Sequence, residues 1–389
     1  MPFQRRSQGP DVTASGSIRV LHLCDKFGIR GALTHGVSRL FTYWLPRFDA
    51  RFEVRLVGLR AHDDASAYLM RRGLNPICLG RGPFSPAVVT DLLRLVWRDR
   101  PHILHAHGYA SSNFARIVGS LTGARTIVHE HASFPSIPAY QRAADWLLAG
   151  RTDLGIAVSE STKAFMVRCR HLPPDRIRVV QNGAPLEEFR LPPAERVQAE
   201  RTRLGLRPGE PVVGTIGRLD AQKGITYFLR AAAQVLRHRP EVRFVVAGDG
   251  PLLAQYQGEA RALGIADRTV FTGFREDIPL VEAVLDVQVF ASLWEGTPLT
   301  LFEAMAMRRP IVSTAVDGLG EVLRHGENAL LVPPRDVEGL ARGMLELLER
   351  PALAAALAAQ AGSDSCRFDA RHTVERLQEL YEELVDQRR

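Results

Sequence analysis

Cysteine is scarce in this chain of 389 residues: Cys24, Cys78, Cys169 and Cys366 lie far apart, with no Cys-x-x-Cys pair. That excludes a disulfide framework, a zinc ribbon and a thioredoxin-like motif, and it fits a reducing compartment. Nothing reaches the roughly 18 apolar residues that a membrane span needs. The polar stretch Met1 to Gly16 carries Arg5 and Arg6 with no apolar segment behind them. Neither a span nor a signal peptide is expected, so the expected location is the cytoplasm. No Gly-x-Gly-x-x-Gly follows any strand pattern, which argues against a nicotinamide or flavin oxidoreductase. No helix-turn-helix, zinc-finger or RNP-like pattern occurs, which argues against a nucleic-acid partner. An aspartate-rich cluster of the kind a metal-chelating transferase uses is also missing, so no metal and no other cofactor is expected.

What is present is ordinary globular composition, 46% hydrophobic and 24% charged with 32 Gly and 24 Pro, which excludes disordered, collagen-like and coiled-coil classes. The length predicts two or three domains. The net charge of +7 is unevenly spread. Residues 1–190 hold 26 Lys and Arg against 15 Asp and Glu, a net +11, whereas residues 191–389 hold 24 against 28, a net −4. A basic front half suits an anionic partner. Only Lys26, Lys163 and Lys223 are lysines, however, and an arginine bias of this kind also arises from coding composition.

Short β-branched runs, each followed by a helical pattern, predict parallel-sheet α/β architecture. In the first half these runs are Ile18 to Asp25, Phe52 to Leu59, Ile103 to His107, Thr126 to His131, Leu154 to Ser159 and Ile177 to Val180. A Pro-, Glu- and Arg-rich stretch, Pro185 to Pro211, reads as a linker with one short helix near Ala194 to Leu204. The alternation then restarts with Val212 to Ile216, Arg243 to Ala247, Thr269 to Thr272, Val287 to Ala291, Ile311 to Thr314 and Ala329 to Val332. These continuous apolar runs fit strands covered on both faces. Two doubly wound domains in tandem follow, with ligands expected beyond the carboxyl ends of the strands, in the cleft between the domains. Pro351 to Ala361 is helical by propensity, and the apolar spacing of Asp369 to Asp386 predicts a terminal docking helix.

Two constellations carry chemistry. Gly217-Arg218-Leu219-Asp220-Ala221-Gln222-Lys223-Gly224 follows a strand and precedes a helix. Its glycines allow close backbone approach, and Arg218 and Lys223 suit a diphosphate. The second is Glu295-Gly296-Thr297-Pro298-Leu299-Thr300-Leu301-Phe302-Glu303-Ala304-Met305. Thr297 as N-cap and Pro298 as first residue predict a helix start, with the N–H groups of Leu299, Thr300 and Leu301 open to phosphate oxygens. Glu303, among apolar neighbours, suits ribose hydroxyls, and Glu295 those of whatever the phosphate carries. The stretch Leu40 to Phe52, with Phe41, Tyr43, Trp44, Phe48, Arg47 and Arg51, reads as a helix packed on its sheet. The alternative is a patch for an anionic membrane surface, which would put the protein at the inner face of the membrane and favour a lipid-linked acceptor.

Glu295 and Glu303 separated by seven residues, with the Gly217-Arg218-Leu219 and Lys223-Gly224 turn upstream, resemble the retaining glycosyltransferases of family 4. The resemblance covers nearly the whole chain and extends to Gln181-Asn182-Gly183, Val246-Ala247-Gly248-Asp249-Gly250-Pro251, Thr272-Gly273-Phe274 and Gly318-Leu319-Gly320-Glu321. It implies the α/β GT-B fold: two Rossmann-like, doubly wound parallel-sheet domains facing across a cleft, the C-terminal helix packing back toward the first. The boundaries expected are 17–184, a linker 185–210, a nucleotide-sugar domain 211–365 and the docking helix 366–389. The resemblance further implies that Arg218 and Lys223 bind the diphosphate of a nucleotide sugar beside Gly217 and Gly248, and that Glu303 holds the ribose. Glu295 with Gly296, Thr297, Pro298, Leu299, Thr300 and Leu301 would hold the donor sugar, and Phe274 and Arg275 would border the base. His129 matches the histidine that faces the donor sugar, with His131 the near alternative; His105 and His107 serve acceptor contacts or pack. Where the family has a Gly-Gly pair, this chain has Gly28 and Gly31 in Lys26-Phe27-Gly28-Ile29-Arg30-Gly31, and Ala184-Pro185 replaces the valine and aspartate after Asn-Gly. The function implied is sugar transfer, with retention, from a nucleoside-diphosphate sugar to a glycan or lipid-linked acceptor in polysaccharide or glycoconjugate biosynthesis. The alternatives are a GT-B epimerase or a non-catalytic nucleotide-sugar-binding protein.

Overall fold

The computed structural model describes residues 16–28 and 36–386. Residues 16–28, 37–180 and 373–386 form one compact unit, and 181–372 belong to a second. The first unit holds β1 (Ile18–Cys24), β2 (Phe52–Gly58), β3 (Ile77–Cys78), β4 (Ile103–His107), β5 (Arg125–Glu130), β6 (Leu154–Ala157) and β7 (Ile177–Val179). They make one seven-stranded sheet in the order β3-β2-β1-β4-β5-β6-β7, and every pairing is parallel. The second unit holds β8 (Val212–Ile216), β9 (Arg243–Ala247), β10 (Thr269–Gly273), β11 (Val287–Phe290), β12 (Ile311–Thr314) and β13 (Leu330–Val332), ordered β10-β9-β8-β11-β12-β13 and again all parallel. Strand order reverses between β1 and β4 in one sheet and between β8 and β11 in the other, the places where such sheets open a crevice for ligands.

The expected strands are therefore present, with ends differing by one or two residues. The added β3 has only two residues, too few to leave a pattern. Longer strands were legible because of their burial: β4, β8 and β12 are buried along their whole length, as strands covered by helices on both faces must be. In the second unit Phe228 meets Phe244 edge to face at 5.9 Å within a core that runs from Val213 to Leu357.

The helix Ala194–Arg203 sits in the stretch expected as a linker, and its Glu200 is buried in ion pairs with Arg203 and Arg275 (2.8 and 2.6 Å). That stretch is folded onto the second unit, because a buried carboxylate needs such partners. The last helix, Ala370–Asp386, belongs from Thr373 onward to the first unit, as expected of a docking helix. Gln378 Oε1 accepts from the Asp49 N–H at 2.7 Å, and Arg51 pairs with Glu382 at 2.7 Å.

Candidate functional site

In the second unit, four loops at the carboxyl ends of strands meet. The turn after β8 is shaped by close backbone approach. Gly248, with φ +142°, lies so near that a Cβ there would sit 1.8 Å from the Gly217 carbonyl oxygen. Gly224, with φ +61°, would put a Cβ 2.0 Å from the Ala291 carbonyl oxygen at the end of β11. Only glycine meets both demands, conformational and steric. These contacts bring the β8 and β11 loops together, and the Leu293 N–H donates to Gln222 O at 2.8 Å.

The charged groups of this crevice are arranged around Glu295, which is buried. Lys223 Nζ donates to Glu295 Oε1 at 2.5 Å and Ser292 Oγ to the same oxygen at 2.8 Å, while Gln222 Nε2 donates to Oε2 at 3.1 Å. The Glu295 N–H donates to Asp317 Oδ2 at 3.0 Å, and burial pushes the Asp317 carboxyl above its ordinary range. Arg218 donates through Nε to Asp220 and through Nη2 to Gln222 Oε1 at 3.0 Å. Both cations thus have partners within the protein, yet each keeps about a fifth of its side chain exposed, 22% for Arg218 and 17% for Lys223. A diphosphate, with more than one negative charge and several acceptor oxygens, competes well for such cations.

The helix that closes the site begins one residue later than expected. It spans Leu299–Ala306 with Pro298 as its N-cap, in extended conformation and without a side-chain cap bond. Thr297 therefore precedes the cap; its carbonyl accepts from Asn182 Nδ2 at 3.0 Å. The Leu301 N–H donates to Pro298 O at 3.0 Å, so the open donors at this tip are those of Leu299 and Thr300 rather than all three. Glu303 is completely buried, which excludes a solvated helix charge.

Arg275, after β10, is not an open cation. Its guanidinium is shared between Asp277 (2.6 Å) and Glu200 (2.6 Å), which raise its proton affinity further. Phe274 stands beside it in the loop. Gly28 ends the first described segment, and Gly31 lies outside the described residues.

In the first unit, one face of the sheet carries His22 on β1, His105 and His107 on β4 and His129 on β5, with His131 just beyond. His129 lies inside β5, within the stretch expected as that strand. His22, His105, His107 and His129 are all buried beneath Phe41 and Trp44, which are themselves fully buried. The packed reading therefore holds for the helix Gly36–Trp44, whose Phe41 and Trp44 are unavailable to a membrane, although the helix stops there: Leu45–Arg47 is a separate short 3-10 turn and Phe52 opens β2. Burial lowers the proton affinity of His22 to a pKa of about 3, and burial together with the neighbouring imidazoles takes His105, His107 and His129 well below the ordinary range. Tyr381, from the last helix, donates or accepts between His105 and His22.

The sequence reading missed the partners: Asp220 and Gln222 lay within the quoted turn, but Ser292, Asp317 and Glu200 carried no signal of their role. Tyr381 is 276 residues from His105, and its spacing announced only a helix face.

Two family models match the chain: Glycosyltransferase Family 4 over residues 34–188 and Glycosyl transferases group 1 over residues 210–350. The chain is 35% identical over 318 residues to a D-inositol 3-phosphate glycosyltransferase of Rhodococcus erythropolis, covering 76% of this chain and 71% of that one. It is 25% identical over 311 residues to the Escherichia coli UDP-Gal:alpha-D-GlcNAc-diphosphoundecaprenol alpha-1,3-galactosyltransferase, covering 76% and 79%. Among solved structures, Anabaena Alr3699/HepE in complex with UDP superposes with a TM-score of 0.80 at 20% identity, over 94% of this chain and 100% of that one. Sucrose-phosphate synthase from Thermosynechococcus elongatus gives 0.78 at 21%, over 94% and 99%.

Proposed function

The chain belongs to the family 4 glycosyltransferases of the GT-B fold, and from that premise we propose that it transfers a sugar, with retention, from a nucleoside-diphosphate sugar to a glycan or lipid-linked acceptor. The observation that carries this reading is the crevice of the second unit at the switch point between β8 and β11, where Lys223 meets the buried Glu295, Arg218 stands in the same turn, and the stretch after Glu295 leads into the Leu299–Ala306 helix with its buried Glu303.

Cleavage of the bond between sugar and diphosphate builds negative charge on the phosphate and positive charge on the anomeric carbon. Arg218 and Lys223 stabilise the leaving diphosphate, together with the N–H groups of Leu299 and Thr300, and preorganised electrostatics of this kind is usually the largest contribution to catalysis. On binding, the diphosphate takes Lys223 from Glu295 and Arg218 from Asp220. That release leaves Glu295 able to accept from sugar hydroxyls, with Gly296 and Thr297 lining the donor. Glu303 holds the ribose, Gly248 and Gly217 keep the backbone close to the phosphates, and Phe274 borders the base. His129 donates to the sugar. With charge neutralised by side chains and backbone, the reaction is proposed to need no metal.

Support for the acceptor class comes from the relatives, one acting on a diphosphoundecaprenol-linked sugar and one named for an inositol phosphate. No helix among the described residues is long and apolar enough to cross a membrane. Peripheral contact with an anionic membrane is proposed to run through the helix Ala139–Leu148, where Asp145 alone is buried. Its Tyr140, Trp146 and Leu147 are 57%, 68% and 68% exposed, beside the exposed Arg142 and Arg151.

The test is a thermal-shift and hydrolysis screen across UDP-, GDP-, ADP- and dTDP-sugars, followed by transfer assays with the stabilising donor. One donor should raise the melting temperature, be hydrolysed slowly by water, and yield glycosylated product when an acceptor is added. Stabilisation by none of them, or an epimerised sugar released without acceptor, overturns the reading.

A further inference from the structure

The polar groups buried on the histidine face of the first unit form one unbranched series. His131 Nε2 lies 2.9 Å from His107 Nδ1, His107 Nε2 2.9 Å from His22 Nδ1, and His22 Nε2 3.1 Å from the Tyr381 hydroxyl. That hydroxyl lies 2.6 Å from His105 Nδ1, and His105 Nε2 lies 3.1 Å from His129 Nδ1. The series ends at His129 Nε2, a buried nitrogen with no hydrogen-bond partner among the described residues.

We propose that His22, His105, His107, His131 and Tyr381 are positioning residues whose hydrogen-bond chain sets which ring nitrogen of His129 carries its hydrogen. A neutral imidazole has one N–H and a phenol one O–H, so the six groups bring six hydrogens to five links. Each link takes one hydrogen, and one is left for an end of the chain. If His129 carries it at Nε2, then Nδ1 of His129 must accept from His105 Nε2, and His105 Nδ1 must accept from the Tyr381 hydroxyl. Tyr381 oxygen then accepts from His22 Nε2, His22 Nδ1 from His107 Nε2, and His107 Nδ1 from His131 Nε2. If His129 Nε2 is bare, every link reverses. No mixed arrangement satisfies all the links, and a buried link without its hydrogen is costly.

The chain therefore has two states, and what His129 offers at Nε2 is fixed by the far end. A hydrogen taken up at His131 Nδ1 is matched by one released from His129 Nε2, each intervening hydrogen moving across its own link, with no net charge left in the sheet. Burial keeps four of the imidazoles and the phenol uncharged: it depresses the proton affinity of His22, His105, His107 and His129 and pushes that of the Tyr381 phenol well above its ordinary value, against deprotonation. This inference rests on the reading of His129 as the residue that meets the donor sugar, for which the Nε2–H state is the one that donates to a sugar oxygen.

The test uses the full chain labelled with 15N-histidine, without substrate, at pH 7.5. Long-range 1H–15N correlations should show His129 as a single neutral tautomer, protonated at Nε2 and accepting at Nδ1. Tyr381→Phe removes the central link, and His129 should become a mixture of both tautomers. In transfer assays kcat per folded molecule, with the folded fraction read from circular dichroism, should fall about tenfold while the donor KM stays within twofold. His131→Ala, at the half-buried end where folding is least at risk, should also yield a mixed His129 tautomer. An unchanged His129 tautomer in both variants overturns the proposal. So does a charged member of the chain at pH 7.5, or a stoichiometric transition metal bound by these rings, which bring two sets of three nitrogens within 4.8 Å. If the tautomers respond but no donor is ever used, the chain stands and the transferase role of His129 falls; if transfer is normal and the tautomers do not respond, the reverse holds.

Discussion

The two units wind their sheets alike and furnish their switch points oppositely. Between β8 and β11 the chain places cations, carboxylates and glycines, partly open to water and paired with one another. Between β1 and β4 it places imidazoles, buried and uncharged, with every described link satisfied inside the protein. A fold of this type fixes where a site sits and leaves its electrostatics to the side chains. The second unit is built to receive charge, and the first to hold neutral polar groups away from it.

Acid should break the comparison hardest. Folded-state proton affinities of His22, His105, His107 and His129 lie below the unfolded value near 6.5. The unfolded chain therefore binds more protons as pH falls through that value, and stability present above it is lost below. Each group that stays neutral in the folded chain costs about 1.4 kcal/mol per pH unit below that value, read as a fall of Tm between pH 7.5 and pH 5.5.

Next in size is the opposite crevice. Lys223→Ala should lower kcat/KM by about 10³, with far-UV circular dichroism unchanged and donor-induced thermal stabilisation lost. Gly248→Ala, which forces a Cβ against the Gly217 carbonyl at φ +142°, should cost about 2–3 kcal/mol in chemical denaturation and abolish donor binding. The smallest effect belongs to the surface. Trp146→Ser and Leu147→Ser should shift stability by no more than about 0.5 kcal/mol while reducing sedimentation with anionic liposomes; pelleting equal to the parent would remove that face from the membrane proposal.

The second unit was the more legible of the two from sequence, and the reason is local. Arg218, Gln222 and Lys223 lie in one turn, and Glu295 to Glu303 in one loop and helix, so short spacing carries their chemistry. Even there Thr297 was read as the cap although Pro298 holds that place, because the residue preferred at a cap and the residue that adopts cap geometry need not coincide. Arg275 looked available until Glu200 arrived from a helix 75 residues earlier. In the first unit His105, His107, His129 and His131 were visible as alternating pairs, but their meaning depends on His22 and Tyr381. Register across β1, β4 and β5 aligns those rings, and no pattern within one segment reports register between segments.

The last helix has a consequence for how the molecule is made. Every strand of the first unit lies before residue 180, yet Tyr381, Gln378 and Glu382 supply its buried hydroxyl and two of its ties to the Asp49–Arg51 turn. During synthesis that sheet waits, nearly finished, until Tyr381 has left the ribosome. A chain ended before that residue would lose the capstone of its opening half.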